Sequence, residues 1–113
     1  ATGAGDIVVM IDTAAAAALP HDQCRDVISI AKEAISNSLR HANARRRTVT
    51  FHRRRNKLQL EIADNGTGFS SSRPRRGLGL SNMRTRAKKL GARLTIDSTA
   101  GQGTRIVLEL PVR

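Results

Sequence analysis

With 113 residues the chain has room for one domain around one core, and a hydrophobic content of 39% excludes an intrinsically disordered segment. Twenty Lys and Arg against nine Asp and Glu leave a net charge of +11, which draws nucleic acid, anionic lipid, nucleotide phosphate or an acidic partner without choosing among them. The single cysteine, Cys24, excludes an internal disulfide and suits a reducing, cytoplasmic setting; no apolar run reaches membrane-spanning length, and no signal peptide is visible. Phe51 and Phe69 are the only aromatic residues, so the core is expected to be aliphatic. The chain opens abruptly on Ala rather than Met, which is expected of a piece cut from a longer protein and leaves a membrane-anchored parent open.

Residues Asp6 to Asp12 read as a short strand, and Thr13 to Leu19 as an alanine-rich connection too short for a separate helix. Pro20 suits a first helical turn, and Asp22 adds negative charge at the positive end of the dipole. From there to Ala42 the apolar positions Cys24, Val27, Ile28, Ala31, Ala34, Ile35, Leu39 and Ala42 recur at helical spacing and predict one long amphipathic helix. Glu33, Asn37, Arg40 and His41 fall on adjacent turns of its other side. That is either a solvated face or a polar wall, in which an acid orients a group, an amide oxygen holds Mg²⁺ and a cation meets phosphate.

Val49 and Phe51 begin a strand that turns through the basic Arg53 to Lys57 into Leu58, Leu60 and Ile62, a hairpin with charged residues along its outer face. The clusters Arg45-Arg46-Arg47 and Arg53-Arg54-Arg55 flank the first strand and are expected to be mostly solvated. The second strand runs into Asp64-Asn65-Gly66-Thr67-Gly68-Phe69, where a fixed carboxylate is followed by a sharp glycine turn. A carboxylate at a sheet end can accept hydrogen bonds from an amino group such as that of adenine; alone, the pattern is as well explained by a plain glycine turn.

Ser70 to Arg76 is polar, aperiodic and expected to be a mobile loop. Gly77-Leu78-Gly79-Leu80 then opens a helix with the stripe Leu80, Met83, Ala87 and Leu90, and Gly91 falls just past its end. Such a glycine-rich entry exposes backbone N–H groups and suits an anion; Arg84 near the positive helix end is a conflict that a bound phosphate would relieve. Leu94 and Ile96, the turn Ala100-Gly101-Gln102-Gly103, and Ile106, Leu108 and Leu110 form a second hairpin closing at Pro111.

Taken together, these motifs resemble the ATP-binding domain of the superfamily that joins gyrase B, heat-shock chaperones, histidine kinases and MutL. Glu33-Ala-Ile-Ser-Asn37-Ser-Leu-Arg40-His41-Ala resembles its N box. Asp64-Asn-Gly66-Thr-Gly68-Phe and Gly77-Leu-Gly79-Leu80 resemble its two glycine boxes, and Gly101-Gln-Gly-Thr104 its late glycine turn. The resemblance runs from Pro20 to Pro111, and Leu80-Ser-Asn82-Met83-Arg-x-Arg86-Ala-x-x-Leu90-Gly91 is similar to sensor histidine kinases of the nitrate-sensor and lipid-desaturase-sensor type. It implies an α/β fold of two layers, the Bergerat type, with helices packed on one face of a mixed sheet.

The same resemblance implies ATP and Mg²⁺ as cofactors. Asp64 would bind the adenine amino group, and Thr104 would support that contact. Asn37 would ligate Mg²⁺, Arg40 and His41 would lie near the phosphates, and Gly66, Gly68, Gly77 and Gly79, with Leu78 and Leu80, would wrap the nucleotide. Glu33 matches the general base of hydrolytic relatives. The histidines, His21, His41 and His52, all lie outside any phosphoacceptor context, so the chain is read as a single catalytic domain, 1–113, without its substrate domain. The implied partners are the phosphoacceptor and dimerisation domain of the parent kinase and, through it, a response regulator; the isolated domain is expected to be a monomer with no specific nucleic acid. The alternatives are an anti-sigma-factor serine kinase of the same superfamily and a basic nucleic-acid-binding module, the latter disfavoured by the lack of stacking aromatics.

Overall fold

The computed structural model describes residues 5–68 and 79–112. The elements run β1 (Asp6–Ile11), α1 (Thr13–Ala18), α2 (His21–Asn37), a π-helical turn (Ser38–Ala42), β2 (Arg46–Arg54), β3 (Lys57–Asp64), α3 (Leu80–Leu90), β4 (Arg93–Thr99) and β5 (Gly103–Pro111). The strands form one mixed sheet in the order β1-β2-β3-β5-β4, with β1 parallel to β2 and every other pairing antiparallel. A parallel pair needs a crossover, and α1 with α2 supplies it.

Alternation of side chains puts Val49 and Phe51, then Leu58, Leu60 and Ile62, then Ile106, Leu108 and Leu110 on the same face of the sheet, where all are buried. Val27, Ile30 and Ala34 of α2 and Met83, Ala87 and Leu90 of α3 close over that face to complete the core. The expected two-layer mixed sheet is therefore present, and so is the stripe of α3. Gly91 ends α3 in the left-handed region at φ 66°, where its N–H bonds back to the Lys88 carbonyl.

Several local expectations need correcting. The alanine run is a helix, α1, not a connection. Asp12 caps it, its Oδ1 accepting from the Ala14 N–H at 3.1 Å, and Ala15 is wholly buried. Alanine's high helix propensity and the packing of α1 on β2 offset its short length. The long helix stops being α-helical at Asn37 and finishes as a π turn that ends on Asn43 in the left-handed conformation, φ 49°.

The buried side of α2 is also rotated from the expected one. Ile30 is fully buried and Ile28 and Leu39 are about half exposed, because Val27, Ile30 and Ala34 define the seam and Ile28 and Leu39 lie well off it. The arginine cluster before β2 is split in the same way. Arg45 and Arg46 are exposed, whereas Arg47 has the same strand parity as Val49 and Phe51 and is 3% exposed. The loop Ser70 to Arg76, Phe69, Gly77 and Leu78 lie outside the described residues.

Candidate functional site

One row of the helix-facing sheet surface departs from the apolar pattern. Arg47, Asp64, Thr104 and Ser98 are register partners across β2, β3, β5 and β4, one step beyond the row Val49, Ile62, Ile106 and Ile96. The polar row is the wall at which the core gives way to a cleft. Ala34, Asn37, Ser38, His41 and Ala42 of the helix line it from above, Ile62, Asp64, Thr104 and Ile106 from the sheet, and Thr67, Gly68 and Leu80 from the rim. Its empty space, open mouth included, is about 480 Å³.

The Asp64 turn is held in place from both sides. Asp64 Oδ1 accepts from the Gly66 N–H at 2.9 Å, which holds the carboxylate of this cleft-lining residue in place. Asn65 Oδ1 accepts from the backbone N–H groups of Arg45 and Arg46 at 3.0 and 2.9 Å, and the Thr67 N–H donates to the Ala42 carbonyl at 2.7 Å. The end of the π turn is thereby bonded directly to the glycine turn. Gly66 is needed for the approach, since a Cβ there would stand 2.2 Å from the Ala42 carbonyl oxygen. From the other side the Gly101 N–H donates to the Thr67 carbonyl at 2.6 Å. Gly103, at φ 120°, leaves no room for a Cβ against the Asp64 carbonyl oxygen, 2.2 Å away. Thr104 Oγ1 and Ser98 Oγ are 2.8 Å apart.

Of the residues expected from sequence, Asn37, His41, Asp64, Gly68, Leu80 and Thr104 line this cleft together, and Gly66 shapes it from behind. Asn37 carries a buried Oδ1 at the cleft, and the residue is not without a partner. Glu33 lies at the edge. Its carboxylate is packed on Gly79, the left-handed residue that opens α3, and it also borders a second groove between α2 and α3 with Ser29, Lys32, Asn82, Met83 and Arg86. Arg40 is exposed and outside the lining. Gly77 and Leu78 lie outside the described residues.

Sequence reasoning missed Ser38, which lines the cleft, and the buried Arg47 that bonds to it. Arg47 Nε donates to Ser38 Oγ at 2.8 Å and its Nη2 to the Ser38 carbonyl at 3.1 Å, both buried. Strand parity from Val49 and Phe51 is the signal that would have turned Arg47 inward.

Residues 23–113 match the family described as histidine kinase-, DNA gyrase B-, and HSP90-like ATPase. The chain belongs to that family. Among curated proteins, this ATPase domain is 43% identical over 84 residues to the sensor protein VraS of Staphylococcus haemolyticus, a match that covers 74% of this chain and 24% of the relative. The domain thus spans about a quarter of that relative's length. The blue-light activated histidine kinase of Erythrobacter litoralis EL346 has the same fold, with a TM-score of 0.83 at 21% identity over 96% of this chain and 36% of that one. The ATP-binding domain of PrrB from Mycobacterium tuberculosis superposes with a TM-score of 0.67 at 25% identity, covering 79% and 68% of the two chains. The implied identity, a sensor-histidine-kinase type of ATP-binding catalytic domain, holds at that level. Among the described residues of this ATPase domain, no helix is long and apolar enough to cross a membrane.

Proposed function

We propose that this domain holds Mg-ATP in the Asp64 cleft and presents its γ-phosphoryl group to a histidine on a separate phosphoacceptor and dimerisation domain of a cytoplasmic kinase module, from which a response regulator is served. The observation that carries the reading is the convergence of Asn37, Asp64 and Thr104, from three distant parts of the chain, on one cleft.

In this reading the second oxygen of Asp64 accepts from the exocyclic amino group of adenine, and Thr104, its register partner, supports that contact through a water. Ile62, Ile106 and Ala34 give the base an apolar bed. Asn37 fits magnesium by the chemistry of its donor, a neutral carbonyl oxygen of the hard kind this ion prefers, and among the described residues no group of three His, Cys, Asp or Glu offers an alternative site. That suits a metal that arrives with the nucleotide and is held mainly by its phosphates. When bound, magnesium would neutralise phosphate charge and fix the terminal phosphoryl group.

His41 at the mouth, Arg40 beyond it, and Gly79 and Leu80 at the entry to α3 would serve the phosphate side, and the sequence motif assigns Gly77 and Leu78 to the same task. Glu33, packed on Gly79, orients the incoming acceptor rather than the base. Gly66 and Gly68 let the backbone wrap the nucleotide.

The test is transfer in trans. Mixed with a helical dimerisation domain carrying the acceptor histidine, the domain should pass label from γ-labelled ATP to it, and the domain alone should stay unlabelled. Label on the acceptor that is acid-labile and alkali-stable identifies phosphohistidine; acid-stable label would identify a serine kinase instead, and no transfer with intact ATP binding would reject the kinase role.

A further inference from the structure

Arg53, Arg54, Arg55 and Lys57 crowd the β2–β3 turn, and all of them are exposed. Arg54 and Lys57 face each other as the last register pair of the hairpin. With Arg55 they line a surface groove shared with Gln59 and Glu109, whose empty space, open mouth included, is about 720 Å³. Among the described residues none of these cations is ion-paired, not even with Glu109. The turn is also built against the preference of its backbone. Arg55 takes the left-handed conformation, φ 60°, where glycine or asparagine would be the relaxed choice. Arg53 Nε holds it there, donating to the Arg55 carbonyl at 3.0 Å. Unpaired like charges on a strained turn weaken the fold, so their use lies outside it.

The edge strand adds apolar surface to the same end of the sheet. Ile11 pairs with Phe51, two positions before Arg53 on one face, and Met10 pairs with Thr50 on the face that Arg54 shares. Met10 is 57% exposed and Ile11 55%. The acid nearest them in sequence, Asp12, is engaged as the cap of α1, with Oδ1 accepting from the Ala14 N–H. Cations beside exposed aliphatic side chains narrow the choice of partner. The backbone of duplex DNA offers phosphates but no place for a methionine or an isoleucine, and the one described aromatic here, Phe51, is buried and stacks on no base. An anionic bilayer offers both, acidic headgroups over acyl chains.

We propose that this end of the sheet, the β2–β3 turn with Met10 and Ile11 beside it, docks on an anionic lipid surface. Contact is peripheral: the guanidinium and ammonium groups meet headgroup phosphates, and the two aliphatic side chains enter the interface. Strand β3 starts at Lys57 in this turn and ends at Asp64 in the cleft, and its eight residues span about 23 Å. The docked domain therefore keeps its cleft turned away from the lipid, open to ligands from solution. The inference does not depend on which ligand that cleft takes.

Vesicle flotation at physiological salt tests it, with phosphatidylcholine alone and in equimolar mixture with phosphatidylglycerol. The domain should float with the mixed vesicles and not with phosphatidylcholine alone. Arg54→Gln with Lys57→Gln should bind the mixed vesicles about thirtyfold more weakly, the effect of two cations at an anionic surface. Arg45→Gln with Arg46→Gln removes the same charge from the cleft end of β2 and should change vesicle affinity by no more than a few fold. Equal losses in the two pairs would mean attraction by net charge alone and overturn the docking surface. Met10→Ser should weaken vesicle binding while leaving binding to duplex DNA and to polyglutamate as in wild type. No effect of Met10→Ser on vesicles would make the turn a general polyanion site and overturn the lipid assignment. Saturating ADP should leave vesicle affinity unchanged; if ADP displaces the vesicles from a domain that binds it, the cleft faces the lipid and the proposed orientation falls.

Discussion

Asp64 can serve two masters because a carboxylate has two oxygens. One accepts from the Gly66 N–H, and the residue lines the cleft, so on the adenine reading the other is the acceptor for the base. Asp64→Asn should therefore keep the turn, through the amide oxygen, while the amide nitrogen meets the adenine amine donor to donor. ATP affinity should fall by at least about 1–3 kcal/mol, about fivefold or more, with an unchanged circular dichroism spectrum. The wild-type domain should likewise reject GTP, whose ring bears an oxygen in place of that amine; equal affinity for both nucleotides would remove Asp64 from the base site. Asn37→Asp should change the Mg²⁺ dependence of ATP binding, because a neutral ligand oxygen becomes charged. The same titration curve at every Mg²⁺ concentration would return Asn37 to a structural role. Asp64 was legible in sequence because it continues the inward parity of Leu58, Leu60 and Ile62. Arg47 obeyed the same parity and was not read, since a run of three arginines looks like surface and burial of a guanidinium depends on a partner, Ser38, nine residues upstream.

Helix α3 is tied to α2 by charge as well as by packing. Arg86 Nη1 donates to Asp26 Oδ1 at 3.0 Å, and Lys89 Nζ lies 3.8 Å from the other oxygen. The Asp26 side chain is only 10% exposed, whereas those of Arg86 and Lys89 are 44% and 74% exposed, so solvent screens much of the attraction. Asp26→Ala should cost about 0.5–1 kcal/mol in denaturant unfolding, since water can rehydrate the exposed Arg86 guanidinium. Because α3 begins at Gly79 against Glu33, the same change should also loosen the start of that helix, seen as faster hydrogen exchange at its first turn; unaltered exchange would mean the pair acts only on global stability. The strands, the two hairpins and α3 were readable from alternation and from one clear stripe. Helix α1 was not, because six residues are too few for propensity to decide and its stability comes from the Asp12 cap and the sheet beneath it. Nor was the π turn, whose phase shift comes from contacts with the glycine turn and with Arg47 that no local pattern encodes.

For the whole molecule, the +11 charge and the cleft predict different salt dependences. DNA binding that comes from charge alone should be sequence-indifferent and collapse between low and physiological salt, as the release of counterions on binding gains less free energy in a saltier solution. Nucleotide binding in a built cleft should stay saturable, one to one, and keep most of its affinity. Tight, sequence-selective DNA binding at physiological salt without nucleotide binding would reverse that assignment. The charge also bears on strand β1. It forms one edge of the sheet, and Ile7, Val8, Val9, Met10 and Ile11 are each 43–57% exposed, on both faces of the strand. An apolar edge with unsatisfied backbone groups is a template on which a second molecule's strand can add. Asp6 and Asp12 bracket that template without interrupting it, so the mutual repulsion of highly cationic molecules would oppose the pairing of two such edges. Salt that shortens the reach of this repulsion should therefore act as a precipitant of the isolated domain long before it unfolds it, and a lysine in place of Val9 should restore clarity to the solution.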